Sequence, residues 1–309
     1  MNRWTEDWVE RAMRSFEQAI AKDPGYALAH AAIAECLVWF YSGIGTRSAV
    51  ETIPRAREAA AKALALGPEL PEPHKVLGLI AMSHDWDRKA AEASFARGIE
   101  LNPSSADARV WNAWRLSLLE GSYQEALAEL RVAEDLDPLD LRIKTQVGYV
   151  YYFLRELDRT EAQFREVLAI DPHFAFGHYA LGDVHAQQGR YEEALSDLTE
   201  SVRLGGSSVN HLAILSYVNG LAGRTDEARR LLLEIRVRAN RGYASPIWSA
   251  LAHLGLREID AAFEWLDRAF EERDGSLILV TASPEFDPLR SDPRFRALLE
   301  RMGLGHRGV

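Results

Sequence analysis

A recurring proline sets the strongest limit on what this chain can fold into. It appears as Asp23-Pro24, Gly67-Pro68, Asn102-Pro103, Asp137-Pro138 and Asp171-Pro172, at intervals of 44, 35, 35 and 34 residues. Twelve residues before each proline stands Ala12, Ala56, Ala91, Ala126 or Thr160, and the column runs on without proline through Ala194, Ala228 and Ala262. Four residues after each member comes Phe16, Ala60, Phe95, Leu130, Phe164, Leu198, Leu232 or Leu266. Three further on stand Ala19, Ala63, Gly98, Ala133, Val167, Ser201, Ile235 and Ala269. A period of this length marks a stack of similar units, none of which can bury its apolar face alone.

Offsets of 0, 4 and 7 lie on one face of an α-helix. Small, large and small residues on that face predict close approach by another helix. Proline cannot continue a helix, and it pushes the preceding residue out of the helical region, so each Asp-Pro closes a unit. The other helix of a unit shows at Leu77-Gly78, Val147-Gly148 and Leu181-Gly182. Gly121, Gly189 and Gly223 fall at the turn between the two helices.

A 34-residue helix–turn–helix with this Leu-Gly, Gly-x-Tyr, Ala, Phe/Leu, Ala and Pro pattern resembles the tetratricopeptide repeat (TPR). The resemblance spans nearly the whole chain and implies an all-α fold, a right-handed superhelical αα solenoid with a C-terminal capping helix. It divides the chain into a leading helix (1–24), seven helical hairpins (25–274) and a C-terminal cap and tail (275–309). The long first interval places about ten extra residues around Trp39–Thr46, read as a glycine-hinged loop. Asp292 is expected to N-cap a last helix with Pro293 at its first position, whose Phe295, Leu298, Leu299 and Met302 seal the last repeat. That ending, with Met82–Asp87 and Ala262–Leu266, resembles the C-terminal TPR region of bacterial multidomain signalling proteins. Those carry a winged-helix, nucleotide cyclase or serine/threonine kinase domain ahead of the repeats.

Of 309 residues, 36 are Lys or Arg and 46 are Asp or Glu, a formal charge of −10. This balance argues against a nucleic-acid or anionic-membrane partner, which needs a concentrated basic surface. The single cysteine, Cys36, cannot build a disulfide framework or a Cys-rich metal site. It reads as a small core residue. The N-terminus lacks the basic and apolar regions of a signal peptide, and a cytoplasmic location is expected. His178 and His185 are seven residues apart and read as packing histidines rather than zinc ligands. Gly43-Ile44-Gly45 lacks the context of a dinucleotide fingerprint, and no phosphate-binding loop or nucleophile elbow occurs. No catalysis, metal or cofactor is therefore expected.

In the resembled family the first helices of the hairpins line a concave groove. The repeat register then places Lys75, Trp111, Asn112, Arg115, Arg142, Gln146, Tyr149, Tyr152, Phe176, Tyr179, Asp183, Asn210 and Tyr217 inward. Aromatic residues with a few Arg and Asn side chains suit peptide recognition. Arg115 and Arg142 are expected to meet a ligand carboxylate. Replacing Arg142 or Tyr149 by Ala is expected to weaken partner binding with little change in stability. A five-residue carboxylate clamp of the family would fall on Lys75, Leu79, Asn112, Arg142 and Gln146, where Leu79 and Gln146 depart from the required chemistry. The expected function is a non-catalytic scaffold for a protein or peptide partner in bacterial signalling. Two alternatives remain open: a homodimer through Trp8, Ala12, Phe16 and Ala19 of the leading helix, or a regulatory fragment of a larger protein.

Overall fold

Each periodic segment of the sequence forms a helix, and each Asp-Pro-type dipeptide lies in the turn after one. The computed structural model describes residues 6–43 and 45–308, and among these there are helices and turns but no strands. A leading helix α1 (Glu6–Lys22) is followed by α2 (Ala27–Val38), α3 (Ala49–Leu66), α4 (Glu72–Ile80) and α5 (Arg88–Leu101). Next come α6 (Ala106–Arg115), α7 (Tyr123–Leu136), α8 (Leu141–Phe153), α9 (Leu157–Ile170), α10 (Ala175–Gln187) and α11 (Tyr191–Gly205). The array ends with α12 (Val209–Leu221), α13 (Thr225–Ala239), α14 (Pro246–Gly255), α15 (Ile259–Glu271) and α16 (Pro293–Arg301). From α2 to α15 consecutive helices pair as hairpins, and each second helix also packs on the first helix of the next pair. The molecule is an all-helical αα solenoid.

The three columns of the repeat are its packing seam. Ala56, Ala91, Ala126, Thr160, Ala194, Ala228 and Ala262 are all fully buried, as are Phe95, Leu130, Phe164, Leu198 and Leu266. Glycine lets the first helix of a hairpin meet the large residue of the second. A Cβ on Gly148 would sit 2.1 Å from the Phe164 ring, and one on Gly182 would sit 2.6 Å from Leu198. In α1 the corresponding Ala12, Phe16 and Ala19 are only partly buried, whereas Val9 and Met13 are buried, and α1 packs on α2.

The intervals of 35 rather than 34 residues have a structural counterpart. The first helices of the second and third hairpins end in π-helical turns, Ala81–Asp85 and Leu116–Glu120. A π turn absorbs one extra residue within a helix, and the 34-residue hairpins that follow end their first helices in ordinary α geometry. The first hairpin carries a π turn as well, Trp39–Gly43. Its ten-residue excess is shared among that turn, the connection to Ala49 and the 18-residue α3. Gly45 has positive φ there, while Ile44 lies outside the described residues.

These π-turned ends are where the C-terminal region packs. After α15, a 3₁₀ turn at Leu277–Thr281 touches the π turns of the second and third hairpins, and a second at Pro284–Leu289 touches α14. The Tyr41 hydroxyl donates to the Arg273 carbonyl, and Thr281 Oγ1 donates to the Leu118 carbonyl at 2.8 Å. His306 Nε2 meets the Leu119 carbonyl at 2.9 Å. A Cβ on Gly275 would stand 2.8 Å from the Tyr41 ring, so only glycine lets the chain pass there. Trp86 stacks on Phe270 of α15 at 5.4 Å. Helix α16 lies against α15, with Arg294 to Asp260 at 2.8 Å and an Arg301–Asp267 pair.

The solenoid therefore closes on itself. Its accessible surface is 13,817 Å², against about 13,000 Å² for a globular monomer of this mass.

Candidate functional site

Successive first helices touch one another along the inside of the curve: α2 with α4, α4 with α6, α8 with α10, α10 with α12 and α12 with α14. Their side chains show a gradient of burial from N-terminal to C-terminal ends. In α8 the Arg142 side chain is 43% exposed, Gln146 is half-buried, and Tyr149 and Tyr152 are buried. In α10 Phe176 is 37% exposed, whereas Tyr179 and Asp183 are buried. In α12 Asn210 is half-buried and Tyr217 is buried. The inner face thus has an open tier at the helix starts and a closed tier at their ends.

The turn Pro284–Leu289 closes the lower tier. Tyr152 donates to Glu285 Oε1 at 2.7 Å, and Arg155 Nε donates to Asp287 Oδ2 at 2.9 Å with its Nη2 on the other oxygen. Arg155 Nη1 also donates to the Ala282 carbonyl at 2.7 Å. Between the two carboxylates Phe286 is buried, and Leu289 beyond them is fully buried. Arg155 occupies the inter-helix turn of its hairpin at φ +62, the left-handed position filled by Gly121, Gly189 and Gly223 in other hairpins. A non-glycine residue there costs roughly 1 kcal/mol, and its return is a side chain long enough to reach the C-terminal turn.

Asp183 and Glu285 are each bonded to one of two adjacent tyrosines. Tyr149 donates to Asp183 Oδ2 at 3.1 Å, while Asp183 Oδ1 and Glu285 Oε2 are buried without a hydrogen-bond partner. Burial, followed by the Glu285 charge, pushes the Asp183 carboxyl well above the usual carboxylate range. Burial also raises Glu285, against the opposing effects of the Tyr152 hydrogen bond and Arg155. Tyr149, Tyr152 and Tyr179 are raised by burial first and by these carboxylates second. Two carboxylates in one low-dielectric space hold a proton between them more readily than two charges.

The thirteen residues expected on the groove divide by tier. Tyr149, Tyr152, Tyr179, Tyr217, Asp183 and Arg115 are buried inside the chain, so the expectation that they face a guest in an open hollow is corrected: the C-terminal region already covers that tier. Arg115 pairs with Glu120 and donates to Asn112 Oδ1 at 2.9 Å, which engages both it and Asn112 internally. Gln146 accepts from Trp114 Nε1 at 2.7 Å. Lys75 binds Glu35 at 2.7 Å and Asp107 at 2.8 Å. Burial alone would lower its pKa, but the two carboxylates outweigh it and hold the ammonium charged. Arg142, though open to solvent, pairs with Asp140 at 2.6 Å, so the polar clamp positions are engaged within the chain, and Leu79 is buried. Trp111, Arg142, Phe176 and Asn210 remain on the open tier. Trp39, at the C-terminal end of α2, stands edge-on to Trp111 at 6.2 Å and was missed because it lies in the irregular first interval.

Of the histidines, His185 stands between Asp197 (2.8 Å) and Glu161 (3.1 Å), and His178 Nδ1 lies 3.6 Å from the same Asp197. Burial opposes a charge on His185, yet these carboxylates raise its pKa. Burial likewise works against the Glu161 charge, but Arg190, Gln188 and His185 bring it down to about 2. This is a structural ion network. Among the described residues no three His, Cys, Asp or Glu side chains are placed to hold a metal. Cys36 is buried, and burial followed by the Glu35 charge pushes its thiol up to about 12, far from reactive.

Hairpin packing and register define an all-helical αα solenoid. Residues 175–206, covering α10 and α11, match the tetratricopeptide repeat family. No curated protein sequence matches the chain. Among solved structures, a human IFIT1 dimer with m7Gppp-AAAA aligns with 86% of this chain and 68% of its own, at a TM-score of 0.64 and 15% identity. Yeast Tom70 aligns over 95% of this chain and 62% of its own, with a TM-score of 0.54 and 16% identity. The Cut9–Hcn1 hetero-tetramer covers 82% and 47%, at 0.59 and 14%. At such identities the likeness is one of fold.

Proposed function

We propose that the chain is a non-catalytic scaffold that binds a protein or peptide segment on the open tier of its inner face. A tetratricopeptide solenoid is a platform for protein–protein contact, and the observation supporting this reading is the aromatic shelf that the first helices leave partly exposed. Phe176 stays 37% exposed although it stacks on Tyr149 at 5.7 Å and on Tyr179 at 6.3 Å. Trp111 in α6 and Trp39 at the end of α2 are also only partly buried. Rigid rings presented at low entropic cost, with Arg142 on the rim, have the composition of a binding hot spot. The nucleotide in the IFIT1 complex is no guide here, since the tier below the shelf carries Asp183 and Glu285 rather than a cluster of cations. The bacterial signalling setting rests on the sequence resemblance. Among the described residues, no helix is long and apolar enough to cross a membrane.

The test is photocrosslinking in host extract from a benzoylphenylalanine placed at Phe176, compared with one at Val50, which is 86% exposed on a second helix. A specific protein adduct at 176, absent at 50 and lost in Trp111→Ala, is expected. Adducts that are equal at both sites would contradict the reading. A second reading has one observation in its favour: Trp8 on α1 is 41% exposed beside the partly buried Phe16, a face that a second copy could cover. A molar mass by light scattering that stays monomeric at every concentration would exclude it.

A further inference from the structure

The geometry points to Pro284–Leu289 as a tethered internal ligand, seated where a partner segment with consecutive amide, aromatic and carboxylate side chains binds. The inference rests on the scaffold reading and adds to it the chemistry of a second, closed tier. Three observations carry it.

The receiving surface has been fitted to this turn at a backbone cost. Arg155 holds the left-handed turn position that glycine fills in neighbouring hairpins, and spends its guanidinium on Asp287 and on the Ala282 carbonyl. The turn itself is short and irregular. It has proline at both Pro284 and Pro288, and is anchored in the apolar interior by Phe286 and Leu289. The apolar residues Leu277, Ile278 and Val280 precede it in a separate turn, so Pro284–Leu289 can leave while the rest of the C-terminal region stays docked.

The seat also fits its occupant imperfectly. Glu285 and Asp183 are bonded to Tyr152 and Tyr149, whose rings stand 6.1 Å apart, and each carboxylate keeps one buried oxygen without a donor. An amide in place of Glu285 would keep the Tyr152 bond through its oxygen and remove one of the two buried carboxylates. Tethering compensates for the poor fit, because a linked segment experiences an effective concentration of the order of millimolar. A free segment of Gln-aromatic-Asp pattern with micromolar affinity displaces it. The aromatic residue takes the place of Phe286 and the carboxylate takes that of Asp287.

Fluorescence anisotropy of two labelled peptides tests this: residues 281–292 as they stand, and the same peptide with Glu285→Gln. The full chain carrying Phe286→Ala and Asp287→Ala should bind the Gln peptide at least tenfold more tightly than the wild-type chain does. It should also prefer the Gln peptide to the Glu peptide at pH 8, and lose both gains when Arg155→Ala is added. A chain that keeps its helicity and cooperative melting yet binds neither peptide would overturn the inference. Should the double variant fail to fold, hydrogen exchange on the wild type decides. Amides of residues 285–290 are expected to exchange at least tenfold faster than those of α16, and exchange only through global unfolding would sink the idea. Neither readout uses the native partner, so failure here leaves the open-tier reading to its own crosslinking test.

Discussion

Tyr149 gives its hydroxyl to Asp183 and packs its ring on Phe164 and Phe176 at 5.4 and 5.7 Å. Tyr149→Ala removes a buried aromatic ring and leaves Asp183 without its donor. A loss of about 3–5 kcal/mol is expected, measured by urea unfolding; an unchanged midpoint would contradict the burial. This replaces the expectation that the ring acts on a partner alone. Glu285 gives a prediction in pH. Its folded pKa is raised, so the closed state holds a proton that the open chain releases, and stability falls as pH rises from the ordinary carboxylate range through the raised value. Asp183, Tyr149, Tyr152, Tyr179 and Tyr217 face it from α8, α10 and α12, with Arg155 and Asp287 beside it. On α14 His253 is engaged by Glu258. Glu285→Gln should match wild type near pH 4 and melt higher at pH 8; equal melting at both would remove the carboxylate conflict. Glu161 has the opposite sign, since its stability is present above the ordinary range and lost as pH falls toward about 2.

At the scale of elements, the left-handed turn residue decides what each hairpin can touch. Arg257 is exposed at φ +59, so Arg257→Gly relieves backbone strain and should stabilise by about 1 kcal/mol. Trp86 has φ +54, but its ring is buried against Phe270 under the Arg273 guanidinium. Trp86→Gly gains the same relief and loses the indole packing, for a net loss of about 2 kcal/mol or more. Thermal melts of the two variants should move in opposite directions, and a shared direction would refute this account of the turns. The helix seams were legible in the sequence because small–large–small spacing records contacts between neighbouring helices. The 35-residue intervals were equally visible, but their link to π turns was not, since a one-residue surplus can also be taken up in a loop.

For the whole molecule, periodicity carries no information about contacts between distant hairpins. Tyr41 with Arg273, Leu118 with Thr281, and Tyr152 with Glu285 join residues far apart in sequence, and none belongs to the repeat pattern. The apolar run Leu277–Val280 was plain to see, but nothing in its spacing said that it would cross the starting hairpins. The tyrosines expected to face a guest are therefore buried within the chain, Tyr152 against the C-terminal turn. The central claim is that the chain closes around its own C-terminal turns. Small-angle X-ray scattering tests it most directly: a radius of gyration near the roughly 19 Å of a compact chain of this length is expected. A value a quarter or more larger, with an elongated pair-distance distribution, would mean an open superhelix and contradict the account.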